Sequence, residues 1–542
     1  MRKNLKKLTS LTAAAAMTAS MLLTGCGANA VNAETATTTT AAETTTAAPT
    51  TTEAPTTTEA QTSAPETTQA VQDTKEAVIP KYIFLFIGDG MSYPQVQSTN
   101  YYLSALADTN NDDILQSESH LSFMDFPVAG SAQTYDSSSF CPDSASTATS
   151  ISTGYKTYSG TINMDETKTT AYETIAEKLK AQLGYKIGVI STVNLNHATP
   201  AAFYAHQASR NSYYEIGLEL IESNFEYFAG GGLKQTTGKN KNQDNLYDLA
   251  KEAGYGVYFT KDEAVNASDD KMIIIDETLA DGDAMSYDMD TVDGEWQLAD
   301  YVSKGIEVLG EDEGFFMMVE GGKIDWACHA NDAGATINDT LALSDAVSVA
   351  VDFYNQHPDE TLILVTGDHE TGGLTIGFAG TNYDTFLTNL DNQNISYAKF
   401  DSDYVAGFKE NKTDFATAMQ DVKELFGLML PDDEAATEDS TLVLTEYEVE
   451  KLKAAYERTL NVGTSSQADM TQEEYVLYGT YEPFTVTVTH ILNNKSGVSF
   501  TSYSHTGLPV PVFALGNGAE LFEGYYDNTD IYNNMAALTG VK

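Results

Sequence analysis

Three apolar runs in this chain end on carboxylates, and a fourth segment supplies a histidine to match. Tyr82-Ile83-Phe84-Leu85-Phe86-Ile87 leads into Gly88-Asp89-Gly90. Phe315 to Val319 leads into Glu320, then into Asp325 and His329 four residues apart. Leu362 to Val365 leads into Asp368-His369, and Ser504-His505-Thr506-Gly507 stands far downstream. Carboxylate oxygens and imidazoles converging from several segments are a donor set for divalent cations. Asp325 and His329 fall on one helical face or tight loop. A further segment, Cys141-Pro142-Asp143-Ser144, precedes a helix-compatible stretch ending at Gly154. A serine there faces amide N–H groups that attract anions, although a serine at a helix start is just as readily a cap. Of eight histidines, His197, His329, His369 and His505 sit beside Asp, Ser/Thr or Gly near strand ends or loops. His120, His206, His357 and His490 lack such company and read as surface or packing residues. The pattern is that of a metalloenzyme.

Short apolar runs bounded by glycine read as buried parallel strands, and open α/β sheets place their ligands just past the C-terminal ends of such strands. Helical apolar spacing over Ala171–Leu183 and Leu341–Phe353 precedes the apolar strands Ile187–Ile190 and Leu362–Val365. This βαβ order predicts a three-layer α/β/α sandwich with a mainly parallel central sheet. One catalytic domain is expected over 78–542, interrupted by a long helical insertion at about 375–500 that reads as a lid, a rim or a dimer contact. In the insertion, Phe415, Met419, Val422, Phe426 and Met429 share a helical face, and Thr445 with Glu448 forms a capping box. The Phe484–Leu492 stretch, alternating Thr and Val, fits a strand or a helix equally.

Lys and Arg number 29 against 78 Asp and Glu, a net charge of −49. That excludes nucleic acid as a partner, since little could neutralise its phosphates. An anionic substrate would need a local positive centre in this acidic field, and bound metals would supply one. Residues 1–25 read as a lipoprotein signal peptide: Arg2, Lys3, Lys6 and Lys7, a short apolar stretch, then Leu23-Thr24-Gly25-Cys26, with cleavage before Cys26 and lipid on its thiol. Residues 26–77 form a Thr-rich linker with too little apolar surface to fold. The expected product is an exported, membrane-anchored surface lipoprotein whose membrane contact runs through Cys26 alone. Cys141 and Cys328 could pair, but two unpaired small buried residues is the preferred reading.

Taken together these residues resemble the alkaline phosphatase family, in that family's order. The resemblance rests on Gly88-Asp89-Gly90-Met91, Asp143-Ser144-Ala145, His197-Ala198-Thr199-Pro200, Ser209-Arg210, Glu320-Gly321 with Asp325 and His329, Asp368-His369-Glu370-Thr371 and His505-Thr506-Gly507. It spans residue 79 to the C-terminus apart from the insertion. It implies two Zn²⁺ and one Mg²⁺: Asp325, His329 and His505 on one zinc; Asp89, Asp368 and His369 on the other; Thr199, Glu320 and Asp89 on magnesium. It implies Ser144 as the nucleophile and Arg210 as the grip on phosphate, with Asp143 orienting the nucleophile. The expected reaction is hydrolysis of phosphate monoesters through a phosphoserine, in a usual homodimer, releasing phosphate outside the cell as a broad scavenger. Two positions depart from the best-known bacterial pattern. His197 stands where many members carry Asp, and Trp326 where Lys or His is frequent, so grip on the substrate leans on Arg210 and zinc. These changes bear on metal preference, affinity and pH optimum, not on the reaction.

Other readings fit less well. A sulfatase needs Cys or Ser in a Cys/Ser-x-Pro-x-Arg context, but Cys141 is followed directly by Pro142 with no such arginine. Phosphodiesterases of the superfamily commonly use threonine where Ser144 stands. A phosphoglycerate mutase would insert a domain soon after the nucleophile, where only a short interval precedes Thr199. A surface binding protein with a decayed site would have lost the nucleophile or a ligand, and every position is filled.

Overall fold

A computed structural model describes residues 79–108, 115–118, 120–437 and 440–542. The expected signal peptide and Thr-rich linker lie outside the described residues. The first long apolar run becomes strand β1, Tyr82–Gly88. It is followed by β2 (Val128–Gln133), β3 (Lys186–Asn194), β4 (Tyr227–Gly231), β5 (Gly256–Tyr258), β6 (Met272–Ile275), β7 (Phe315–Gly321) and β8 (Thr361–Gly367). With two late strands, Val510–Gly516 and Gly524–Asp527, they make one ten-stranded sheet. Its order is Gly524–Asp527, β2, Val510–Gly516, β8, β1, β7, β3, β4, β6, β5. Pairing is parallel except along Val510–Gly516, which runs antiparallel to both neighbours. The sheet is therefore mainly parallel, as expected.

Alternation along the central strands divides the core. Ile83, Leu85, Ile87, Phe316, Met318, Leu362 and Leu364 enter one apolar cluster. Tyr82, Phe84, Phe86, Phe315, Met317, Val319, Ile363 and Val365 enter the cluster on the opposite face. Burial on both sides is why these runs are continuously apolar rather than alternating with polar residues. Helices cover both faces and complete three layers.

Register then sets the chemistry. Ile87 pairs with Glu320 on one side and Thr366 on the other, and Gly88 pairs with Gly321 and Gly367. Asp89, Glu320 and Asp368 thus leave three adjacent strands at nearly one level. On the far side of β7, Ser191 pairs with Glu320. The helices that follow are terminated by local chemistry: Asp143 caps Ser144–Thr153 by accepting from Ser146 N–H, and Gly154 closes it at φ 78°. The long helix Ala333–Gln356 starts earlier than its apolar spacing indicated, because Asp332 caps it by accepting from Ala335 N–H.

The insertion is helical. Phe415–Phe426 and Glu446–Asn461 are helices, the second with the Thr445/Glu448 capping box in place. The ambiguous Thr/Val stretch is also a helix, Pro483–Ser496. Proline at its first turn and Gly497 beyond its end favour a helix. Burial around most of the cylinder removes the usual disadvantage of β-branched residues, since packing then decides. Phe400, Phe408, Phe426, Tyr456 and Phe484 share a third apolar cluster with Ala333 and Ile337 of the long helix. The insertion is also pinned to the turn after His329: Asn493 donates to Asn331 O, and Asn331 donates to Ser502 O. Both remaining cysteines are free, and Cys141 is exposed rather than buried as expected. No described helix is long and apolar enough to cross a membrane.

His206 is more than a packing residue. Its two ring nitrogens lie 3.4 Å from carboxylates of Glu177 and Glu219, which belong to different elements. Burial lowers its pKa, but the two glutamates outweigh that and raise it to about 10. A folded-state value above the unfolded ~6.5 means that the stabilisation is full below pH ~6.5 and lost as pH rises through about 10. His206→Gln should therefore cost about 2 kcal/mol in urea unfolding at pH 6 and much less at pH 10.5. An equal loss at both pH values would show that only packing was removed.

Candidate active site

Asp89 leaves the end of β1 with its two oxygens divided between neighbours. Ser144 Oγ lies 3.5 Å from Oδ1, and Thr199 Oγ1 lies 3.3 Å from Oδ2. The turn that carries it needs Gly90, which adopts φ 71°; a Cβ there would fall 2.8 Å from Thr371 Oγ1 and 3.0 Å from Asp325. Asp368, at the end of β8, accepts from Gly90 N–H (3.2 Å) and from Thr147 Oγ1 (2.9 Å). Ser144 opens its helix one residue after the cap, so it is not itself the cap residue. Its hydroxyl lies 3.2 Å from His369 Nε2.

Asp325 and His329 sit on the helix Lys323–His329 that follows β7. His505 lies on a two-residue strand paired antiparallel with Glu370–Thr371. Glu370 holds that pairing, accepting from Gln95, from the Gly373 and Leu374 amides, and from the Thr506 hydroxyl. Two donor groups close to within 4.8 Å: Asp325, His369 and His505, and Asp89, Asp368 and His369. His369 belongs to both. His329 joins the first group at 3.4 Å from Asp325.

The imidazoles are oriented for a cation. His329 Nδ1 donates to Tyr503 O at 2.7 Å, and His505 Nδ1 donates to Pro142 O, because a carbonyl can only accept. Their Nε2 atoms consequently face each other at 3.1 Å. In the chain alone a proton must sit between those two lone pairs. Burial lowers both rings, but Asp325 outweighs it at His329 and raises that pKa, while His505 falls to about 3. A cation in the proton's place would satisfy both nitrogens, and fixing the far nitrogen on a carbonyl is how proteins orient metal-binding imidazoles.

The carboxylates give the same indication. Burial first, then mutual repulsion, pushes Asp89 well above the usual range, Asp368 up to about 6 and Glu320 up to about 8. Burial alone would raise Asp325 as well, but His329, His505 and His369 hold it low. Glu320 accepts from the Ser191 hydroxyl on one oxygen, and its Oε1 is buried without a partner. A buried pocket with this many carboxylates and an orphaned oxygen fits bound metal ions.

Arg210 supplies the fixed positive charge. Its Nη1 donates to Asp143 Oδ2 at 2.9 Å, and Nη2 lies 3.4 Å from His197 Nε2. Asp143 is held in turn by Ser146 and by the Gly160 amide, and Ser146 Oγ also donates to Asp136 at 2.7 Å. The His197 Nδ1 is buried without a partner, and the ring meets Trp326 edge-on at 6.0 Å. Asp89, Ser144, Thr199, Asp325, His329, Asp368, His369 and His505 thus lie together, with Arg210, Asp143, His197 and Trp326 linked beside them. Sequence reasoning missed Ser191, Thr147, Thr371, Asp136 and Glu370, which hold the others. Thr371 and Glu370 stood in the quoted motif, whereas Ser191 became visible only through strand register.

A family model described as alkaline phosphatase matches residues 80–541. Alkaline phosphatase 4 of Bacillus subtilis (strain 168) is 29% identical over 461 residues, 83% of this chain and 87% of that protein. The cold-active alkaline phosphatase from the psychrophile Shewanella sp. superposes with a TM-score of 0.67 at 27% identity, covering 84% of this chain and 99% of that one. A histidine-to-aspartate variant of the alkaline phosphatase from the Antarctic bacterium TAB5, solved with Mg bound in its M3 site, gives a TM-score of 0.57 at 26% identity, covering 86% of this chain and 99% of that one. The chain belongs to the alkaline phosphatase family, and it is a phosphatase.

Proposed function

We propose that this phosphatase hydrolyses phosphate monoesters through a phosphoserine on Ser144, and that it does so outside the cell. The observation that carries the reading is the placement of Ser144: first residue of a helix, 3.2 Å from His369, which both metal-competent donor groups share, 3.5 Å from Asp89, and next in sequence to Asp143, the partner of Arg210. Asp325, His329 and His505 would hold one Zn²⁺; Asp89, Asp368 and His369 a second; and Thr199, Glu320 and Asp89 one Mg²⁺, with His197 nearby. When bound, these ions supply the positive charge that favours a serine alkoxide and offsets charge on the phosphoryl and leaving oxygens.

The chain's own part is positioning. Arg210, braced by Asp143, presents a planar fork suited to two phosphate oxygens. The N-terminal amides of the Ser144 helix favour the same anion. Ser144 Oγ attacks phosphorus in line, the alcohol leaves with the proton given up by Ser144, and Ser144 carries the phosphoryl group. Water then displaces phosphate and restores the hydroxyl. Trp326 walls the substrate side without adding charge. A diesterase would have to admit a second esterified oxygen, and no feature of the pocket favours that reading over the monoester.

The anchor belongs to the same proposal. Leu23-Thr24-Gly25-Cys26 supports lipid attachment at Cys26, with 26–77 as the tether. Cys26→Ser should release phosphatase activity from the membrane fraction into the medium; activity that stays membrane-bound would remove the anchor.

For the reaction, p-nitrophenyl phosphate turnover should vanish on chelation and return with zinc plus magnesium. Ser144→Ala should lose at least about a thousandfold in kcat while keeping its zinc. An undiminished Ser144→Ala enzyme would exclude the phosphoserine route.

A further inference from the structure

Beside the Arg210 pocket stands a cation that the mechanism does not use. Lys234 stands three residues past the end of β4, after Gly232 and Leu233, and its side chain is half-buried. Its ammonium lies 5.4 Å from the Tyr213 ring centre and 5.9 Å from that of Trp326. Among the described residues no carboxylate comes within ion-pairing distance of it. The neighbouring Lys323 differs: fully buried, it is paired with Asp281 at 2.6 Å and lies over Tyr287. Asp281 is thereby paired with Lys323, and Asp283 and Asp281 both act on Lys234 from beyond ion-pairing distance.

The placement of Lys234 is built rather than incidental. Asn196, fully buried and immediately before His197, accepts from Lys234 N–H and donates to Lys234 O, each at 2.9 Å. The same amide nitrogen donates to Tyr213 O at 2.9 Å. One side chain therefore locks together the His197 loop, the Arg210–Tyr213 loop and the backbone of Lys234. Opposite stands Gly282, at φ 66°; a Cβ there would be in ordinary contact with Trp326 Cη2 at 3.4 Å and Lys234 Nζ at 3.7 Å, which places both side chains beside this turn. Arg210, His197, Trp326 and Lys234 stand in series: Arg210 Nη2 is 3.4 Å from His197 Nε2, the His197 and Trp326 ring centres are 6.0 Å apart, and Lys234 Nζ is 5.9 Å from the Trp326 ring centre.

We infer that Lys234 receives a second phosphoryl group on the substrate, so that the site favours compounds whose leaving group is itself phosphorylated, such as diphosphates. This deepens the phosphatase reading above and rests on it. In an acidic protein a more highly charged substrate is otherwise disfavoured by the surrounding field. An ammonium that has aromatic faces but no carboxylate partner retains its capacity for a charge-assisted hydrogen bond. The reaction needs no new component: Ser144 Oγ forms the same bond to phosphorus, and the bond that breaks is the bridging P–O, so that phosphate departs instead of an alcohol.

The test compares inorganic pyrophosphate with p-nitrophenyl phosphate on the full chain loaded with zinc and magnesium. Lys234→Met should lower the ratio of their kcat/KM values about tenfold, mainly through KM for pyrophosphate. Lys234→Arg should restore most of the ratio, and added salt should shrink the gap between wild type and Lys234→Met. A ratio unchanged in Lys234→Met, or unrestored by Lys234→Arg in a protein of normal melting temperature, overturns the inference. If the wild type turns over neither compound, the phosphatase reading is what has failed. Calorimetry then decides the inference alone: pyrophosphate should bind more tightly than inorganic phosphate in the wild type, and Lys234→Met should erase that preference. Equal affinities in the wild type would overturn it.

Discussion

Like charges brought together away from water repel strongly, and Asp89, Glu320, Asp325 and Asp368 share one buried pocket. The chain opposes this with imidazoles, with amide and hydroxyl donors, and with Arg210, yet Asp89, Glu320 and Asp368 still hold their protons more tightly than usual. Much of the local architecture serves to hold that unfavourable arrangement in place until positive charge completes it. β1, β7 and β8 deliver three of the carboxylates at one level, and the helix after β7 delivers the fourth. The strands are apolar throughout because they are covered on both faces, and that coverage gives the site its rigidity.

A second tier of residues works on the first. Glu370, next to His369, ties its own strand to that of His505, and the carbonyls of Tyr503 and Pro142 turn the two outer imidazoles inward. Asp136 reaches Asp143 through Ser146, and Asp143 reaches Arg210. Asn196 does the same for the rim by coupling three loops. The insertion joins this scheme at Asn331, two residues beyond His329, where Asn493 donates to the Asn331 carbonyl.

The parts of this scheme that could be read from the residues are those encoded locally. Each ligand-bearing motif follows its own apolar strand, so strand, turn and chemistry are contiguous, and the family resemblance supplied their grouping. What could not be read depends on which strands are neighbours. Ser191 is an ordinary strand serine until register sets it opposite Glu320. Asn196 and Lys234 are 38 residues apart, and only the fold brings them together. His206 gave no signal because its two glutamates come from other elements. The Pro483–Ser496 helix was ambiguous because alternating Thr and Val favours a strand locally, and tertiary burial overrode that preference. Cys141 was misplaced because its small size suggested burial while the loop before Ser144 holds it outside.

The central claim is that the facing imidazoles and crowded carboxylates exist to hold metal. Diffraction from crystals grown with zinc, recorded on both sides of the zinc absorption edge, tests it most directly. The account predicts two anomalous peaks, one among Asp325, His329 and His505 and one among Asp89, Asp368 and His369. Crystals of active protein with no anomalous peak at either place would contradict it.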